Sequence, residues 1–192
     1  MIICTTGMPG AGKTEAAKML KEEGFILVEM SDPIRDMMIA QGLEINNKSF
    51  RDFAVELKRT KGMDIAAKIN ADRIDFGSNT VISGVRNIEE IRYFKSRCPD
   101  LIVVELYAPP ETRFQRLVAR WQDGLKTYDE FLYRERREID MGMSSAIKMA
   151  DIRIDNVGTL NDLKKGIRAL IESRNSGVQK SVAKDFDKEE EE

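Results

Sequence analysis

The stretch GMPGAGKT, Gly7 to Thr14, constrains this chain more than any other. It fits G-x-x-x-x-G-K-[ST] with Gly7, Gly12, Lys13 and Thr14 in the required places. In such a loop the glycines let successive backbone N–H groups point at a phosphate, the lysine ammonium reaches the β and γ oxygens, and the threonine hydroxyl ligates Mg²⁺. The flanks decide whether the match is a chance glycine turn. MIICTT before it reads as a buried strand, and KTEAAKMLKEEG after it places Ala16, Ala17, Met19 and Leu20 on one helical face and stops at Gly24. The helix N-terminus then adds its partial positive charge to the anion site. The set expected to cradle a nucleoside triphosphate is therefore Gly7, Gly10, Ala11, Gly12, Lys13, Thr14 and Glu15, with Thr14 as the metal ligand and ATP with Mg²⁺ as cofactors.

Four further apolar runs follow: FILVEM at 25–30, TVISGV at 80–85, LIVVELY at 101–107 and DIRID at 151–155. The first three, like MIICTT, are nearly continuous in apolar character, as strands covered on both faces must be. Helical patterns separate them. SDPIRDMM can be capped by Ser31 or Asp32 with Pro33 in its first turn, SFRDFAVELKRTKG carries Ser49 and Asp52 in capping spacing, and TLNDLKKGIRALI carries Thr159 and Asp162 likewise. This alternation predicts an α/β fold, a five-stranded parallel sheet flanked by helices. Residues 33–78 form a helical insertion, residues 120–148 a second one rich in arginine, and residues 173–192 an acidic tail with no apolar face. Residues 1–172 then read as a single domain.

Composition removes several classes of chemistry. The 31 basic and 33 acidic residues nearly cancel, so no global field draws nucleic acid or an anionic membrane. With no histidine, imidazole catalysis and His-ligated zinc are excluded, and two distant cysteines, Cys4 and Cys98, make neither a disulfide framework nor a thiolate metal site. The sequence begins on the first strand and holds no apolar stretch near the ~18 residues of a membrane span, so a cytoplasmic protein is expected. Guanine-reading Asn-Lys-x-Asp is missing, since NKSF at 47–50 lacks the aspartate, and no hydrophobic run ends in the acidic pair of a motor ATPase. A small-molecule kinase remains.

The chain resembles the nucleoside and nucleotide kinases among the P-loop proteins, with adenylate kinase and dephospho-CoA kinase as familiar relatives, and a small archaeal family related to them. The likeness runs to about residue 172. In these kinases the end of the second strand faces the acceptor, which makes Asp32 in SDPIRDMM a general base or Mg²⁺-water partner and Arg35 a phosphate holder. A helix cap and a surface ion pair are the plain alternative. ISGVRN is similar to the Asp-Gly-x-Pro-Arg segment of adenylate kinases: Gly84 and Arg86 match, whereas Ser83 stands where that family holds Mg²⁺ through an aspartate. The resemblance implies Asp32 as the substitute and places Arg86 beside Asp32 and Arg35 on the acceptor side.

Arg113, Arg116, Arg120, Arg134, Arg136 and Arg137 crowd residues 109–139, where Thr127 with Glu130 in capping spacing opens the helix of the last three. Kinases of this class fold such a lid over the transferring phosphoryl group, which nominates Arg120 and Arg134, with Lys13, Asp32 and Arg86, as the catalytic set. A solvated helix with Glu111, Glu130, Glu135 and Glu138 as partners is the alternative. The closing ADIRIDNVGTLNDLKKGI is similar to the end of dephospho-CoA kinases, where Asn156 to Gly158 would approach the adenine. The expected partner is a small nucleotide-like acceptor, with monomer and homodimer both open. The expected function is a nucleoside monophosphate kinase-like phosphotransferase; a dephospho-CoA kinase-like enzyme and an ATP-binding regulatory module are the alternatives.

Overall fold

The computed structural model describes residues 1–120 and 127–176; residues 121–126 of the arginine-rich insertion and most of the acidic tail lie outside the described residues. Five strands, β1 (Ile2–Thr6), β2 (Ile26–Glu29), β3 (Thr80–Ser83), β4 (Ile102–Tyr107) and β5 (Ile152–Asp155), form one all-parallel sheet in the order β2-β3-β1-β4-β5. The described helices are α1 (Lys13–Glu22), α2 (Asp32–Ala40), α3 (Asn47–Lys61), α4 (Ile65–Ala71), α5 (Ile88–Arg97), α6 (Pro110–Ala119), α7 (Tyr128–Asp140), α8 (Met143–Lys148) and α9 (Leu160–Asn175).

Strand alternation divides the core into two layers. Ile3, Val81, Val104 and Ile154 face one side, where Ala16, Ala17 and Leu20 of α1 and Leu163, Ile167 and Leu170 of α9 cover them. Ile2, Cys4, Val28, Ile82 and Val103 face the other, beneath Leu57 of α3, Ala66 and Ala67 of α4, Ile91 and Phe94 of α5 and Ala146 of α8. Burial on both sides is why these strands read as continuous apolar runs. The central strand β1 has β3 on one side and β4 on the other, so the chain reverses its direction across the sheet there. In open α/β sheets ligands bind at the carboxyl ends of the strands at such a point.

Three local expectations change. Ser31 occupies the N-cap of α2 with helical backbone angles and no side-chain cap bond, and Asp32 is the first helical residue. The cap of α3 is Asn46 instead of Ser49: Asn46 accepts from Lys48 and Ser49 backbone N–H groups, and Ser49 serves as the reciprocal partner three residues on. The helix read in TLNDLKKGIRALI, residues 159–171, runs on to Asn175. The boxes of Thr127 with Glu130 and Thr159 with Asp162 form as read. Of the second insertion, α8 is built into the core through Met143 and Ala146, and Thr6 Oγ1 donates to Met143 Sδ at 3.5 Å.

Candidate functional site

The phosphate loop leaves the carboxyl end of β1 and enters α1. Gly12 holds the left-handed N-cap of α1, and a Cβ there would stand 2.2 Å from Asn156 Nδ2. A Cβ on Gly7 would stand 2.3 Å from the Leu106 carbonyl oxygen, so the loop is seated against β4 and the β5–α9 turn where no side chain fits. Gly10 also has a positive φ, Ala11 is buried, and Asn156 Nδ2 donates to the Ala11 carbonyl at 2.9 Å. Thr14 is exposed in the first turn of α1, and Glu15 pairs with Lys18 at 3.0 Å. Lys13 Nζ donates to the carbonyls of Gly7 at 2.6 Å and Met8 at 3.1 Å. Its pKa is pushed down to about 7, first by burial and then by the positive charge of Arg86, with Arg134 and Arg113 acting the same way and Glu138 opposing them. Three guanidiniums, from β3's end, α6 and α7, are thus within electrostatic reach of the loop lysine.

Each is placed differently. Arg86 meets Glu138 of α7 in a bidentate pair at 2.7 Å to both oxygens, Glu138 being buried and Arg86 half-exposed. The Arg86 backbone N–H donates to Glu90 at 2.8 Å, and Glu90 is also paired with Lys58 of α3 at 2.9 Å, with both side chains buried. Asn87 Nδ2 reaches the Met63 carbonyl at 3.1 Å, so the first insertion is strapped to the segment carrying Arg86. Arg113 is buried: it donates to the carbonyls of Ala108 at 2.8 Å and Pro9 at 3.4 Å, pairs with Glu135, and lies over the Phe131 ring at 5.4 Å. Arg113, read as a lid arginine, thus clamps the phosphate loop to α6 and α7. Arg134 projects from the same helix, partly buried.

Arg120 and Arg116 lie on the other side of the loop. A pocket of about 340 Å³ is lined by Gly12, Glu15, Arg116, Arg120, Asn156, Gly158 and Leu160. Arg116 donates to the Asn156 carbonyl at 2.8 Å, while its Nη1 is buried without a partner. Burial, and secondarily Arg120, lowers the Arg116 pKa. The arginines at positions 113, 116 and 120 do not share one task, because burial turns the first inward to the loop and leaves the others at the pocket.

At the end of β2, Asp32 and Arg35 are exposed, and Arg35 lies over the Phe50 ring at 4.7 Å. Phe50 and Phe53 pack against the core beside Leu57. Other insertion cations are paired on the surface: Arg59 with Glu56, Lys68 with Asp64, and Arg73 with Asp36. One carboxylate here escaped sequence reasoning. Glu29 stands opposite Ser83 in the β2–β3 register, and burial raises its pKa against the hydrogen bond from Ser83, with Asp32, Arg35 and Lys13 as its charged neighbours. An acid closing an apolar strand run was the available signal. Glu138 and Glu135 gave none, because their partners lie 52 and 22 residues away.

No helix among the described residues is long and apolar enough to cross a membrane. No group of three His, Cys, Asp or Glu side chains among them could hold a metal by itself. A Mg²⁺ ion fits the loop in another way, since this hard cation keeps several waters and needs few protein ligands beside phosphate oxygens. Thr14 supplies a hydroxyl, and the buried Thr5 Oγ1 beneath the loop is an orphan with a hydrogen bond to offer.

Residues 3–141 match the AAA domain family. A UPF0200 protein of Thermococcus gammatolerans is 30% identical over 190 residues, spanning 95% of this chain and 100% of the relative. A UPF0200 protein of Methanosarcina barkeri is 35% identical over 170 residues, spanning 86% and 91%. Among solved structures, shikimate kinase from Acinetobacter baumannii in complex with shikimate superposes with a TM-score of 0.59 at 22% identity, over 90% of this chain and 93% of that one. A gluconokinase from Sinorhizobium meliloti does so with a TM-score of 0.53 at 14% identity, over 92% and 97%. These structures share the fold. From the near full-length relatives, the chain belongs to the UPF0200 family, and between β1 and α1 it carries a P-loop.

Proposed function

We propose that this chain is a Mg²⁺- and ATP-dependent phosphotransferase with a small acceptor, and that the acceptor is nucleotide-like, as for a nucleoside monophosphate kinase. The phosphate loop between β1 and α1, with Lys13 at the start of α1 and the arginine-bearing α6 and α7 tied to it through Arg113 and Arg86, carries this reading. Phosphoryl transfer asks a protein for positioning and positive charge around three equatorial oxygens, and little else. The base and ribose of ATP would occupy the pocket between Arg116, Arg120 and Asn156, whose size suits a small ligand. Bound Mg²⁺, held by Thr14, supplies neutralisation of the β and γ oxygens. The γ phosphorus bonds to the acceptor oxygen as its bond to the bridging oxygen breaks, leaving ADP. Where the acceptor group is a hydroxyl, Asp32 takes its proton, and Arg35 and Arg86 hold the acceptor's own anion. Residues 33–78 would form the acceptor side and residues 120–148 the lid, whose positions 121–126 lie outside the described residues.

The test is an acceptor panel of nucleoside monophosphates, nucleosides, dephospho-CoA, shikimate and gluconate, with ADP release followed. The expected result is that one acceptor class raises ADP release above basal hydrolysis. If none does, while Lys13→Ala removes ATP binding, the chain is an ATP-binding regulator. Arg86→Ala should lower kcat/KM for the acceptor by about 10²-fold, the scale of removing one transition-state donor, with ATP affinity within threefold of the parent by calorimetry (~0.6 kcal/mol). Equal loss of both would put Arg86 on the donor side.

The lysine pKa adds a pH dependence. With Lys13 at about 7 instead of 10.5, the unfolded chain binds more protons between those values, so this group makes stability rise with pH across that window. Triphosphate binding favours the ammonium and takes up a proton there. ATP affinity should therefore fall toward about tenfold per pH unit above about 7. Calorimetry at pH 8 in two buffers of different ionisation enthalpy should show uptake approaching one proton, and an uptake near zero contradicts the lowering of the Lys13 pKa by its burial in the loop.

A further inference from the structure

We propose that Glu29, acting through the Ser83 hydroxyl, positions the metal-bound waters of the Mg²⁺–ATP site. This rests on the Mg²⁺–ATP reading of the phosphate loop. Ser83 at the end of β3 is in register with Glu29 of β2 on one side and Thr5 of β1 on the other. Two residues earlier in each strand, Leu27, Val81 and Ile3 all pack in the layer under α1. Residues two apart in a strand share a face, so Glu29, Ser83 and Thr5 make a polar row across three strands on the side of the sheet where α1 starts. The row ends directly below the loop that holds Lys13 and Thr14.

The polar atoms of this row are incompletely used within the protein. Ser83 and Thr5 are almost fully buried, and Thr5 Oγ1 has no hydrogen-bond partner. Glu29 accepts from Ser83 and forms no ion pair among the described residues. Lys13, its cationic neighbour, is engaged by the Gly7 and Met8 carbonyls. A half-buried carboxylate without a paired cation carries a desolvation cost. Hydrated Mg²⁺ at the Thr14 hydroxyl would offset it, with the waters spanning from the metal to Ser83 and Thr5. Asp32 stands outside this row, exposed on the first turn of α2. The two acids thus divide between them the duties that sequence reasoning gave to Asp32 alone.

The experiment measures ATP affinity of the full chain in EDTA and in excess Mg²⁺, together with Mn²⁺ affinity of the ATP complex by electron paramagnetic resonance. Removing a partner of metal-bound groups costs about 10–100-fold in metal affinity. Glu29→Gln should keep the parent's EDTA affinity, melt no lower than the parent, and lose the Mg²⁺-dependent gain by that factor. Asp32→Asn should keep the gain within twofold. Adding Ser83→Asp to Glu29→Gln, which returns a carboxylate to the row one strand nearer the loop, should restore it. An unchanged gain in Glu29→Gln, or its loss in Asp32→Asn, overturns the assignment. A gain that depends on Glu29 in a protein that phosphorylates no acceptor supports it and defeats the kinase reading alone.

Discussion

Arg113→Ala should unfold about 6–20 °C below the parent in a thermal melt, the largest single-residue effect expected outside the core. Breaking a buried ion pair from one side costs about 3–5 kcal/mol, and a chain of this size loses about 2–4 °C per kcal/mol. The side chain is buried, Glu135 is nearly so, and the same guanidinium satisfies the Ala108 and Pro9 carbonyls while lying on Phe131. Truncation strands a carboxylate in α7 and a carbonyl in the phosphate loop together. Arg113→Lys should recover little, since one ammonium cannot replace a planar fork serving several acceptors. Glu135→Gln, which keeps the shape and removes the charge, should melt between the two. A melt within 2 °C (~1 kcal/mol) of the parent would show that α7 is held to the loop by other contacts.

Gly12→Ala should cost more than 10²-fold in ATP affinity (~2.7 kcal/mol) while the protein stays folded. Left-handed backbone alone costs a non-glycine residue about 1–2 kcal/mol, roughly tenfold. The clash is the larger part: the new Cβ would lie 2.2 Å from Asn156 Nδ2, which is held by its bond to the Ala11 carbonyl. Either the loop or the β5–α9 turn must move, and both border the pocket and the amide-lined start of α1. Adding Asn156→Gly removes the clash and leaves the backbone strain, so the double variant should bind ATP about tenfold more weakly than Asn156→Gly alone, which carries whatever the pocket loses with the Asn156 side chain. Calorimetric titration of the three variants separates the terms, and an equal loss from Gly12→Ala with and without the Asn156 side chain would mean that strain alone sets the loss.

How far the sequence reaches depends on the range of the interactions. The phosphate loop, the five strands and the boxes at Thr127 and Thr159 were legible because each is written within a few consecutive residues. Two overlapping cap patterns defeated the reading at α3: Asn46 with Ser49 and Ser49 with Asp52 have the same spacing. The structure uses the first, with Ser49 Oγ also donating to the Glu44 carbonyl at 2.6 Å. The arginine cluster was visible as composition, yet its division into an inward clamp at Arg113, pocket residues at Arg116 and Arg120, and a paired Arg86 was not.

A parallel α/β sheet with a phosphate-binding loop after its first strand is written along the chain, because strand burial on both faces and the loop's glycines leave local marks. Which carboxylates meet which arginines, and the row that Glu29, Ser83 and Thr5 share, emerge from the folded arrangement alone. Those pairings join residues dozens of positions apart. They follow from strand order, register and the packing of α7 on the loop, for which a run of neighbouring residues carries no signal.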